Sequence, residues 1–320
     1  MGAVLTSMNA RMFTTATLFT AFAGVLAARA ADSQLLSLVM PDAKLLAGVN
    51  VDQAKASPFG LYVLTQLQSG NSGMQQLIAL TGFDPTRDVH EVLAATNGTP
   101  GANAPVGLVL ARGNFDLTTI TALATSKGAA TEVHGGVTIL EDPTKAAGIA
   151  FLNNTLVIAG DVANVKAAID RPSSGQSLPV AVVGVVNQWS NTEDAWVITT
   201  VPPFTLAPSA AVGGNAAGIL QQILQFAGGV KFGNSVVGTA AVQSDNAADA
   251  TQLANTLQFL ANIAQMQAQN NAQLTALATG LAISAQGTTV KVSLTMPQAQ
   301  FQQLIQQEKK AAVPHVGVKK

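Results

Sequence analysis

Apolar residues recur along this chain in short stretches parted by Gly, Pro, Asn and Asp, and their spacing switches between a period of two and one near 3.6. Residues 44–51 read as a strand, and Ser57-Pro58 then supplies a helix N-cap with Pro at the first helical position. Leu61, Leu64 and Leu67, followed by Met74, Leu77, Ile78 and Leu80, have helical spacing and predict two helices broken at 69–73. GFDPTRD at 82–88 is a turn, because Gly releases φ and Asp-Pro fixes the residue after it. A strand is expected over 105–113 and an Asp116-capped helix to Ser126. Strands follow around 137–140, 148–152 and 155–159, the last two joined at Asn153-Asn154, and Asp161 opens a helix to Asp170.

RPSSGQS has the composition of a linker, which is placed at 171–178. Beyond a helix-like run at 180–189, the pattern predicts strand 195–201, helix 218–227, strand 236–242 and helix 247–268. It ends with strands 281–285 and 289–295 and a helix over 297–308. PVGLVLARGNFDLTTITALA and VVGTAAVQSDNAADATQLAN share a strand, a turn and an acid-capped helix. IAFLNNTLVIAGDVANVKAAI and LAISAQGTTVKVSLTMPQAQFQQLI share a hairpin running into a helix. The expected fold is therefore α+β, with two similar units at 31–170 and 179–310, each a mostly antiparallel sheet covered on one face by helices. A single sheet built from both halves is the alternative.

The first thirty residues differ from the rest. Arg11 precedes an uncharged stretch at 12–28, and Ala28-Arg29-Ala30 has the small-x-small form of a secretory cleavage site. Thr14, Thr15, Thr17 and Thr20 dilute the apolar run below what a membrane anchor requires. Residues 1–30 are accordingly read as a cleaved signal peptide, which leaves a mature chain without a transmembrane segment in the periplasm or secreted. Cleavage takes Arg11 and Arg29 from the 16 basic residues and none of the 17 acidic ones, so the net charge becomes −3. Lys309, Lys310, Lys319 and Lys320 close the chain, and 311–320 is expected to be a flexible basic tail. A mildly acidic body with a short basic tail is no surface for nucleic acid. Charged residues make up 10% of the chain and hydrophobic ones 48%, so neutral polar side chains must cover much of the surface of an ample core.

PDAKLLAGVNVDQAKASPFGLYVLTQL, GFDPTRDVHEVLAA and FLNNTLVIAGDVANVKAAID together resemble a group of uncharacterised exported bacterial proteins that carry a similar strand, Ser-Pro helix and Gly-Phe-Asp-Pro turn. The resemblance spans 40–170 and implies export. Its motifs are structural punctuation and supply no catalytic residue.

Candidate chemistry is sparse. The absence of cysteine removes disulfides and thiolate metal sites. Of the three histidines, His90 and His134 are the candidate metal ligands, yet no His-x-His or His-x-x-x-His pair occurs, and no metal or cofactor is expected. Neither Gly-x-Ser-x-Gly nor Ser-x-x-Lys is present. Glu141-Asp142 and Glu193-Asp194 read as solubilising acids in surface loops, GNSG at 70–73 as a helix break, and VGGNAAGIL at 212–220 as a loop lacking phosphate-binding spacing. Leu253, Leu257, Leu260, Ala264 and Met266 form an apolar helix stripe read as core. Asn50 and Asp52, polar residues at a strand end, are the candidate ligand-binding residues. The leading expectation is an exported non-enzymatic protein that binds a partner protein or an apolar ligand between its two units. A competing hydrolase or metal-dependent enzyme would need His90, Glu91, Glu132 and His134 to converge in one pocket. A structural component of the cell envelope is the third class.

Overall fold

The segment β1 (Leu45–Asn50) is paired along both edges, antiparallel to β2 (Val89–Thr96) on one side and to β8 (Ala195–Thr199) on the other. The structure is a computed structural model, and it describes residues 31–69, 72–98, 107–142, 144, 146–206, 223–267 and 279–303. The remaining strands are β3 (Leu108–Gly113), β4 (Ala130–His134), β5 (Val137–Asp142), β6 (Ala147–Asn153), β7 (Leu156–Asp161), β9 (Ile223–Phe232), β10 (Ser235–Ser244), β11 (Leu281–Gln286) and β12 (Thr289–Pro297). Together they make one 12-stranded antiparallel sheet ordered β11-β12-β10-β9-β8-β1-β2-β3-β7-β6-β5-β4. The α+β class expected from the pattern holds. The two halves, however, share this sheet through the β1–β8 pair instead of forming one each. Outward from that pair the order is β1, β2, β3, β7, β6 on one side and β8, β9, β10, β12, β11 on the other, with β5 and β4 extending the first side.

Helices cover both faces of the sheet, not one. On the first face lie α1 (Ser33–Ser37), α7 (Val162–Ser174) and α8 (Val180–Thr192). Leu35, Val165, Ala168, Val186 and Trp189 from these helices pack against Leu46, Leu93, Leu110, Ile158 and Ile198 of the strands. On the second face, α2 (Val51–Lys55) and α3 (Pro58–Ser69) bury Ala54, Phe59 and Val63 against Val89, Ala195, Val230 and Phe232. The helix α9 (Ala247–Gln267) seats Ala250, Leu253 and Ala254 on Ile223, Val242 and Val290. Alternation along β9 and β10 places this third cluster on the second face as well. Central strands such as β1 present buried side chains to both faces, so one helical layer would leave apolar surface in water. Also present are α4 (Ser72–Thr81), α5 (Pro85–Asp88) and α6 (Leu117–Ser126). Among the described residues no helix is long and apolar enough to cross a membrane.

Local capping follows the sequence. Ser57 Oγ accepts from the Gly60 amide, Asp116 caps α6 through Thr119, and Asp161 caps α7 through Asn164. Elsewhere tertiary contacts override local signals. The helix expected over 218–227 gives way at 223–232 to β9, which pairs along its length with β10 and also with β8; residues 218–222 lie outside the described residues. The supposed linker at 171–178 begins as helix: α7 runs to Ser174, the buried Arg171 guanidinium donates to the Leu38 carbonyl, and Gly175 ends the helix at φ 69°. Glu193-Asp194 is not a surface pair. Asp194 is fully buried at the head of β8, where its carboxylate accepts from the Phe232 amide and Lys231 Nζ. The α9 stripe is core only in its first half: Leu253 is buried, whereas Leu260 and Met266 are exposed. The chain is helical at 298–303, and the remainder of the expected last helix, the basic tail and the 212–220 segment lie outside the described residues.

Gly48 faces Trp196 across the β1–β8 pair, and a Cβ on Gly48 would overlap the indole, which is 4% exposed. Gly48→Ala therefore costs about 1–3 kcal/mol of folding stability through overpacking. Chemical denaturation followed by tryptophan fluorescence reads this as a lowered midpoint.

Candidate functional site

Asn50 ends β1 by accepting from the Gln53 amide, which turns the chain into α2 and sets Asp52 in its first turn. Asp84 caps α5 through Thr86, and this single turn delivers the chain into β2 at Val89. His90 consequently meets Asp52 from 38 positions away, with Nδ1 at 2.9 and 3.0 Å from the two carboxylate oxygens. On the other side of the ring, the Asn114 amide nitrogen lies 3.0 Å from Nε2. That amide can only donate, so Nε2 accepts and the Nδ1 proton points at Asp52, a tautomer assigned from the partners. Lys55 Nζ donates to Asp52 and to the carbonyls of Arg87 and Val89. Burial alone would raise the Asp52 carboxyl, but the hydrogen bonds and charges of His90 and Lys55 hold it below its ordinary value. A carboxylate–imidazole pair is the arrangement that activates a general base. Here the place of a nucleophile at Nε2 is taken by the Asn114 amide. The network instead ties α2, the start of β2 and the loop after β3 together, beside a polar cavity of about 380 Å³ lined by Thr81, Arg87, Asp88 and Asn114.

The next residue, Glu91, belongs to a different cluster. Its carboxylate accepts from the Asp32 amide at 3.0 Å, while the Asp32 side chain caps α1 and pairs with Arg112. Arg112 also donates to the Gln34 amide oxygen at 2.7 Å. Burial pushes the Glu91 carboxyl up to about 7, and the Asp32 charge adds to this against the opposing Asp32 amide and Arg112. His134 and Glu132 are far off on the edge strand β4, where His134 Nε2 meets Asp170 at 2.8 Å and Glu132 pairs with Lys166 at 2.7 Å. Five strand steps separate β2 from β4, roughly 24 Å at sheet spacing. His90, Glu91, Glu132 and His134 do not converge. Among the described residues no three His, Asp or Glu side chains are placed to hold a metal ion.

The second face also holds an apolar trough of about 260 Å³ across β8, β9, β10 and β12. Phe226, Gly228, Val230, Gly238, Ala240 and Leu294 line it. In the register, Gly228 lies opposite Ala240, and Gly238 lies between Val230 and Leu294. Two strand positions without side chains, beside one with a single methyl, lower the floor of the sheet here. Next to the trough on one side is the cluster of Phe59 and Phe232, whose ring centroids are 5.4 Å apart; on the other is the cluster beneath α9. A Cβ on Gly238 would meet nothing within 4 Å.

The sequence singled out Asp52 and His90 separately, and the structure brings them together; Asn50 serves as a cap and His134 stands apart. Asn114 and Arg112 carry no local signal, because their partners lie 24 to 80 positions away; Asp32 caps α1 locally, but its pairing with Arg112 spans 80 positions. The trough had one: glycines inside strands mark thin places in a sheet. Reading 218–227 as helix hid it.

No family model matches the chain, and no curated protein matches it. Solved structures similar in fold include two crystal forms of TP0453. Crystal form III of TP0453 has a TM-score of 0.54 at 10% identity, covering 85% of this chain and 97% of that one. Crystal form I of TP0453 has a TM-score of 0.51 at 11% identity, covering 85% and 96%. At this identity the likeness is one of α+β fold alone, so the chain is similar in architecture to TP0453 while its chemistry rests on its own residues.

Proposed function

We propose that this is an exported, non-enzymatic protein that binds a small apolar ligand in the trough between the helices of its first half and α9 of its second. The observation that carries this reading is the dip at Gly228, Gly238 and Ala240, walled by Phe226, Val230 and Leu294. Its volume, about 260 Å³, is less than twice the ~150 Å³ that holds a benzene ring, which suits a ligand of about two rings or a short aliphatic chain. Such a ligand gains affinity from area removed from water and needs no ionised side chain. The polar groups elsewhere support the same reading, since those around His90 are consumed in holding α2, β2 and the loop after β3 to one another. Export rests on the composition of residues 1–30. The matched strand order outward from β1 and β8 supports an internal duplication.

Gly238→Leu fills the trough from a position where the added side chain meets open space. Titration with 1-anilinonaphthalene-8-sulfonate, followed by fluorescence, tests it: the native protein binds one dye, and Gly238→Leu weakens binding by about tenfold or more with folding intact. Equal binding by both proteins contradicts the site. His90→Ala and Asp52→Ala leave dye binding within about twofold and lower stability by about 1 kcal/mol or less, because the pair is partly exposed.

A further inference from the structure

We infer that cleavage after Ala30 leaves an α-ammonium that docks at Ser190 and acts as the counter-charge of the partly buried Glu91 carboxylate. The inference rests on the export reading above and extends it to the fold. Ala31 is 7% exposed, and its backbone nitrogen donates to Ser190 Oγ on α8 at 2.9 Å. Ser190 itself is fully buried. The following amide, that of Asp32, donates to Glu91 Oε1 at 3.0 Å. Backbone dimensions therefore set the Ala31 nitrogen no more than roughly 7 Å from that oxygen, close to the range in which opposite charges couple strongly.

With Glu91 ionised, the charges around this pocket do not balance without such a group. Glu91 on β2 faces the Asp32 carboxylate, from the segment leading into α1, and the Arg112 guanidinium of β3. Arg112 is already engaged by Asp32 and by the Gln34 amide oxygen. Two acids share one base. While residue 30 precedes it, Ala31 offers a neutral amide with one hydrogen, and burial then holds Glu91 protonated up to about pH 7. Cleavage replaces that amide with an ammonium bearing three donors, one for Ser190 and the others free to turn toward Glu91. The ammonium restores neutrality. It also pins the chain end to α8, a helix that packs on β8 and β9 of the other half.

The test begins with the intact mass of the exported protein, which should correspond to an N-terminus at Ala31. Chains starting at Ala31 with a free and with an acetylated amine are then compared in the native and Glu91→Gln backgrounds. Acetylation should lower the thermal midpoint at pH 7.5 by roughly 4–8 °C with Glu91 present and by less than about 2 °C in Glu91→Gln. In the acetylated native chain, the folded state holds a Glu91 proton that the unfolded state loses above its ordinary value. Stability then falls as pH rises from the ordinary carboxylate range to about 7, and the free amine flattens that slope. A mass starting elsewhere overturns the cleavage site and the inference with it. An Ala31 start with equal acetylation costs in both backgrounds overturns the ion pair and leaves export standing.

Discussion

The antiparallel pairing of β1 with β8 is the contact on which the rest of the molecule depends. Residues 45–49 meet 195–199 in strict register, and the Thr200 amide and the Lys44 carbonyl extend the ladder by one further bond. At its centre the Trp196 indole occupies space that Gly48 leaves free. Without this pair each half would present a largely apolar central strand as an open edge, a surface that can pair with other chains. With it, the core beneath α1, α7 and α8 is continuous across both halves, for Trp189, Trp196 and Ile198 belong to the same buried cluster as Leu46, Leu93 and Leu110.

That arrangement also decides where ionisable groups go. With charged residues at only 10% of the chain, several of those present are spent as ties between distant elements. Lys55 joins α2 to the entrance of β2, Arg171 joins α7 to the segment after α1, and Asp194 fixes the head of β8 to the end of β9. A buried carboxylate such as Asp194 persists because an amide and an ammonium satisfy it. Side chains committed in this way offer little to a substrate. The trough offers the opposite: a surface almost without polar side chains, shaped by what Gly228 and Gly238 lack.

Much of this was legible in the sequence wherever the determining contact is local. Caps at Ser57, Asp116 and Asp161, and the hairpin between β6 and β7, depend on neighbours within a few residues. What failed depended on pairing at long range. β2 carries His90 and Glu91 in a strand buried unevenly on both faces, so no clean alternation announces it. β9 has a locally helical pattern and becomes a strand because β8 and β10 flank it. The buried Asp194 likewise looks like any surface acid until β9 folds beside it. For the site, residue type pointed to Asp52 and His90, but their union and the Asn114 amide that completes it are products of register.

Native-state hydrogen exchange across the β1–β8 pair tests most directly whether the two halves form one cooperative sheet. The most protected amides of β1 to β3 and of β8 to β10 should exchange with a common opening free energy, equal to that of global unfolding. A second half that opens at distinctly lower free energy, while β1 to β3 remain protected, would contradict the account.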